Sequence, residues 1–187
     1  MPSDTRMIEE KREALDKLLS EMGFANYMWI DPRKIVVAQW VRMKCRYGCS
    51  GYGSNASCPP NVPSVAECER FLSEYRSGVI IRYAKKMDTK EELSAWYRSE
   101  NKKLLELERK VFLSGYQKAF VILMNPCNFC KECGDADGNC IQPKNSRPAP
   151  EGFAIDVYST AHSAGLPIQV VTDHQQEMNR YGFLLVE

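Results

Sequence analysis

The sequence predicts an α/β or α+β fold. A single domain over residues 1–187 has a mixed sheet flanked by helices, and two cysteine-rich loops, about 45–63 and 125–150, each follow a strand. Three observations carry this expectation. A chain of 187 residues that is 44% hydrophobic can bury one substantial core. Helical and β patterns alternate along it, with glycine or proline near most changes of pattern. Each cysteine set lies between a β-rich run and the start of a helix.

In order, residues 5–22 place Met7, Ile8, Leu15, Leu18, Leu19 and Met22 on one helical face, and Gly23 stops the helix. The run Ile35-Val36-Val37-Ala38-Gln39-Trp40-Val41 is β-rich and predicts a strand feeding the first cysteine loop. Ser64-x-x-Glu67 is a capping box, in which each side chain satisfies the other residue's orphan N–H. It opens a helix to about Arg76 with the stripe Val65, Cys68, Phe71/Leu72, Tyr75. Residues 79–83 form the next strand. Thr89-x-x-Glu92 repeats the capping box and starts a long helix to about Gly115, carrying Leu93, Trp96, Tyr97, Leu104, Leu105, Leu107, Val111 and Phe112. Residues 118–124 read as a buried strand leading to the second loop. A helix over 151–163 stops near Gly165, and 167–172 and 181–186 read as closing strands. With parallel strands, both cysteine loops emerge at related ends of one sheet and lie near each other.

The chemistry is concentrated in the thiols. Cys127-x2-Cys130-x2-Cys133-x6-Cys140 puts three cysteines at successive three-residue steps, with a fourth after a longer turn. Such a triplet can wrap one face of an iron–sulfur cubane while Cys140 returns to close it. The last gap departs from the usual ferredoxin spacing of three residues. Zinc competes, because it too takes four thiolates in a closed tetrahedral site. Zinc ribbons, however, keep their two cysteine pairs apart, whereas here Cys130 would belong to both. Disulfides fit poorly with adjacent thiols in a chain that begins without a signal segment. Asp135-x-Asp137-Gly138 resembles the start of a calcium loop, but Ser146 stands where the bidentate glutamate is needed.

Upstream, Cys45-x3-Cys49-x8-Cys58-Pro59-Pro60 supplies three thiols around a Gly- and Ser-rich turn. Three ligands leave one metal position open to a substrate, a water or a non-thiol ligand. Cys68 could complete the set, but its place on an apolar helix stripe favours packing. A radical-enzyme motif is rejected, since its third cysteine would have to lie far closer to the first two.

Together with Tyr52-Gly53, Gly115-Tyr116, Arg147-Pro148 and Ala154-Ile155-Asp156-Val157, these motifs resemble the family called predicted metal-binding proteins, a domain of unknown function common in anaerobic bacteria and archaea. The resemblance runs from about Cys45 to the C-terminus. It implies metal binding by the seven spaced cysteines, Cys45, Cys49, Cys58, Cys127, Cys130, Cys133 and Cys140, and implies no reaction.

Other features narrow the function. A net charge of +1 with interspersed signs argues against nucleic acid and anionic membranes as partners. Arg42, Lys44 and Arg46 flank the first set, and Lys131, Lys144 and Arg147 the second. These are either cations that stabilise reduced anionic clusters or ordinary solvated side chains. No apolar run approaches the ~20 residues of a spanning helix, so a cytoplasmic protein is expected. His162 and His174 read as surface or capping residues. Asp156 reads as a buried polar partner for a loop amide. Tyr27, Trp29, Trp40 and Tyr52 read as packing residues.

Three functions remain open. The first is an iron–sulfur redox protein with one or two 4Fe–4S clusters and a redox partner protein. The second is a zinc-held structural or accessory module, and the third a metal or cluster carrier.

Overall fold

The computed structural model describes residues 3–86, 89–134, 139–172 and 176–187, with the side chains of the first helix described from residue 9. The fold is α+β. Among the described residues five α-helices, α1 (Ser3–Glu21), α2 (Gln39–Gly48), α3 (Val65–Ser73), α4 (Lys90–Leu113) and α5 (Val157–Ser163), accompany four strands, β1 (Tyr27–Ile30), β2 (Gly78–Lys86), β3 (Phe120–Ile122) and β4 (Glu177–Leu185). The sheet order is β1-β2-β4-β3, and every pairing is antiparallel. The expected mixed sheet is thus corrected to an antiparallel one.

Both faces of the sheet are covered, which is why 79–83 and 181–186 read as nearly unbroken apolar runs. On one face Leu15 and Leu19 of α1 and Leu104, Leu107 and Val111 of α4 pack on Val79, Ile81, Val121 and Leu184. On the other, Cys68 and Leu72 of α3 and Ala161 of α5 pack on Ile80, Ile122, Tyr181 and Phe183. Gly182 lets α4 approach closely, since a Cβ there would stand 2.9 Å from Leu104 Cδ1 and 3.3 Å from the Ile122 carbonyl. Both capping boxes form as the sequence indicated, Ser64 with Glu67 and Thr89 with Glu92.

Four expectations are corrected. Residues 35–41 do not form a strand: Val37 makes one bridge to Ile155, Ala38 is the extended N-cap, and α2 begins at Gln39. Helical spacing wins there because it turns Val41 inward at 4% exposure while Trp40 and Met43 face out. The first cysteine loop therefore leaves a helix, and only the second leaves a strand. Residues 151–156 form turns, with Ala154 at φ 58, and the helix starts only at Val157. Residues 167–172 join no sheet edge, and Val170 is 67% exposed. The short strand β1 was not foreseen. Tyr27 and Trp29 anchor it by donating their side-chain O–H and N–H to Asp16 Oδ1, each at 2.8 Å.

Among the described residues, no helix is long and apolar enough to cross a membrane.

Candidate metal centre

The first cysteine set is built on the end of α2. Cys45 lies in its last turn and Cys49 is the C-cap, its N–H bonded to the Cys45 carbonyl at 3.3 Å. At this i, i+4 spacing both thiols occupy one side of the helix end. Successive turns then bring the chain back: Tyr52 N–H reaches the Cys49 carbonyl at 3.1 Å, Gly53 at φ 78 donates to the Pro59 carbonyl at 3.0 Å, and Cys58 N–H donates to the Asn55 carbonyl at 3.0 Å. Only glycine adopts the Gly53 conformation without strain. Arg42, one turn before Cys45, donates through Nη2 to the carbonyls of Pro63 at 3.0 Å and Gly152 at 3.2 Å. It fixes α2 against both ends of the site.

The second set hangs from β3. Three side-chain amides hold its first segment: Asn101 donates to the Asn125 carbonyl at 3.3 Å, Asn55 to that of Cys127 at 2.8 Å, and Asn128 to that of Ser94 at 3.3 Å. Arg147 ends the loop, with Nε on Glu108 Oε2 at 2.9 Å and Nη2 on Glu108 Oε1. Glu108 Oε2 also accepts Val121 N–H at 2.7 Å. Arg147 is therefore a structural clamp and not a cation free to face the thiols. Cys127, Cys130, Cys133 and Cys140 together line one small cavity.

The two sets meet. Asn55 of the first loop bonds the Cys127 backbone, and Ala56 N–H donates to Cys133 Sγ at 3.3 Å. The thiols also sense one another electrostatically. Burial first, and then Cys45, Cys49, Cys133 and Cys127, push the Cys58 thiol up to about 11. Burial likewise raises the Cys127 thiol, with added contributions from Cys133, Cys140 and Cys130. Cys45 is raised by burial, then by Cys49 and Glu151, and lowered by Arg42. Burial thus favours the neutral form of Cys45, Cys58 and Cys127, and a metal that binds these three must displace their protons.

Cys68 stands apart from this group. It is fully buried, its thiol donates to the Pro63 carbonyl at 3.7 Å, and burial pushes it up to about 11. Asp156 caps α5, accepting Ser159 N–H at 3.0 Å and Ser159 Oγ–H at 2.6 Å. His162 is exposed in the last turn of α5. His174 and the Asp135-x-Asp137-Gly138 turn lie outside the described residues. Sequence reasoning passed over Asn55, Asn101, Asn128 and Glu108. Position within a cysteine motif could have marked Asn55, between Cys49 and Cys58, and Asn128, between Cys127 and Cys130.

The donors gathered here are soft thiols, a set that suits a thiophilic metal and not a hard cation. The architecture is that of a cysteine-rich α+β protein with two converging thiol sets. The chain belongs to the family of predicted metal-binding proteins (DUF2284), which matches residues 28–186. No significant match was found among curated proteins or among solved structures.

Proposed function

We propose that this is an iron–sulfur redox protein. Cys127, Cys130, Cys133 and Cys140 would hold a 4Fe–4S cluster, and Cys45, Cys49 and Cys58 a second metal site with one position left to a small ligand. The observation that supports this best is the single cavity lined by all four downstream cysteines, with the first loop bonded to Cys133 through Ala56 N–H and the Cys58 thiol within electrostatic reach of Cys133 and Cys127. A bound cluster supplies one-electron transfer. The protein's part is to place two thiol sets side by side, so that an electron arriving at one is close to the other, and to fix their backbones with Asn55, Asn101 and Asn128. Among the described residues, no three Cys, His, Asp or Glu side chains already converge as a single ion requires. Metal entry on this reading draws the thiols inward and couples loading to the folding of residues 125–150. The protein works in the cytoplasm, and its partner is a redox protein.

A second reading, a metal or cluster carrier, draws on the exposure of Cys49 and Cys133, one in each set. An exposed thiol in each set gives an acceptor a place to attack. Anaerobic purification without added metal, followed by iron, zinc and acid-labile sulfide analysis, tests the main proposal. Iron and sulfide in comparable amounts are expected, and stoichiometric zinc without sulfide refutes it. Transfer of the metal to an apo-acceptor without any redox cycle would favour the carrier.

A further inference from the structure

Beside the cysteine sets the sheet opens. β3 pairs with β4 only as far as Ile122↔Phe183, after which Leu123 turns away and donates its N–H to the Pro148 carbonyl at 2.9 Å. Residues 177–182 of β4 are left with β2 along one edge and no described strand along the other. The gap is a cavity of about 560 Å³. Small-molecule sites span roughly 300–1,000 Å³ and are mostly apolar, with a few placed polar groups.

The lining fits that description. Leu93, Met124, Ile168 and Met178 supply apolar wall, and Arg180 is the one cation among the described lining residues. Its Nε is buried without a hydrogen-bond partner. The contrast with Arg82 on the neighbouring strand is informative, because Arg82 places Nε on Asn179 Oδ1 at 2.7 Å and Nη2 on Glu177 at 3.1 Å. Arg180 makes no ion pair with a described carboxylate, and Glu151, also on the lining, is exposed. A guanidinium Nε buried without an acceptor is costly, and the planar fork it belongs to matches a carboxylate in bidentate fashion.

We propose that this cavity binds a small organic carboxylate, its anionic group on Arg180 and its apolar body against Leu93, Met124 and Met178. One guanidinium balances one negative charge, which favours a monoanionic carboxylate over a phosphate. The rim reaches the first cysteine set, since the Glu151 carbonyl stands 4.0 Å from Cys45 Sγ. Resting on the function proposed above, the carboxylate is the small molecule presented to the open position of the three-cysteine site.

The test is calorimetric titration of the full-length protein, purified anaerobically with the metal it holds, using phenylacetate, its neutral analogue phenylacetamide, and inorganic phosphate. Saturable one-to-one binding of phenylacetate is expected, at least tenfold weaker for the amide, for phosphate and for Arg180→Gln, and partly retained in Arg180→Lys. Arg180→Gln should melt no lower than the parent, because it removes a half-buried arginine whose Nε has no partner; a structural arginine would show a clear loss. Binding that persists whether the sample holds iron or zinc supports the site independently of the metal. No phenylacetate binding, equal binding by Arg180→Gln, or preference for phosphate would overturn the proposal.

Discussion

Asn55 is the residue on which the union of the two cysteine sets depends, and replacing it separates the contributions. Its Nδ2 donates to the Cys127 carbonyl at 2.8 Å, while Oδ1 accepts Ser57 N–H at 2.9 Å and Ser57 Oγ–H at 2.7 Å. Asn55→Ala removes all three hydrogen bonds. At about 0.5–1.5 kcal/mol net for each, the loss is roughly 2–4 kcal/mol. Ser57 is only 6% exposed, so water cannot readily take over its N–H, and the upper half of that range applies. Asn55→Asp is the sharper variant. It keeps both acceptor contacts to Ser57 but turns the donor that faces Cys127 into a carboxylate oxygen opposing a carbonyl. That isolates the bond between the loops, worth about 1–3 kcal/mol once the orphaned carbonyl is included. If the link belongs to the metal-loaded arrangement, about 2 kcal/mol lowers apparent metal affinity roughly thirtyfold. Competition with a chelator under anaerobic conditions measures this, and urea unfolding of the same samples measures stability. Both sites should lose metal over the same chelator range. An Asn55→Asp protein that retains metal like the parent, or releases it from one set alone, would refute the idea that the two loops act as a unit.

Two further outcomes follow from the same geometry. Glu108→Ala strips both the largely buried Arg147 (20% exposed) and the Val121 N–H of their acceptor, and should cost about 3–5 kcal/mol in urea unfolding; a cost below about 1 kcal/mol would contradict the clamp. In metal-free protein, iodoacetamide at pH 8 should label exposed Cys49 and Cys133 well before Cys58. Because the Cys58 thiol is pushed up to about 11, its thiolate fraction and labelling rate should climb by about tenfold per pH unit until that value, and metal affinity should rise with pH in the same sense; labelling of Cys58 as fast as Cys49 at pH 8 would show it unburied.

The parts of this fold visible in the sequence are those decided locally. Ser64 with Glu67 and Thr89 with Glu92 each satisfy their own helix start, so α3 and α4 were legible to within a few residues. What depends on distant partners was not. Residues 35–41 have strand composition but pair with none of the four strands, and residues 36–38 bond instead to 154–160, with Val36 N–H on Thr160 Oγ1 at 3.0 Å. Asp156 looked like part of a helix, yet capping that helix requires it to stand outside the first turn. The cysteine spacing announced two thiol sets. Of the polar residues that hold their backbones, Asn101 and Glu108 carry no spacing signal, since Asn101 lies 24 positions from the carbonyl it serves.

The approach of the two sets was expected from parallel strands, and the sheet is antiparallel, so another element must bring them together. That element is the turn segment from Pro148 to Asp156. Pro148 receives Leu123 N–H as β3 leaves the sheet, Gly152 receives Arg42 of α2, Ala154 receives Ala38 N–H at 2.9 Å, and Asp156 N–H returns to the Val36 carbonyl at 2.8 Å. One short segment thereby fixes the helix that carries Cys45 and the strand that leads to Cys127. Pro150 and Glu151 of the same segment line the Arg180 cavity. Ala154, fully buried at φ 58, holds the left-handed conformation that closes this turn, at a cost a non-glycine residue bears only where its surroundings enforce it. The enforcing contacts are the bonds that tie this segment to residues 36–42 and to the exit of β3, so the strain at Ala154 belongs to the turn that sets the two cysteine-bearing elements side by side.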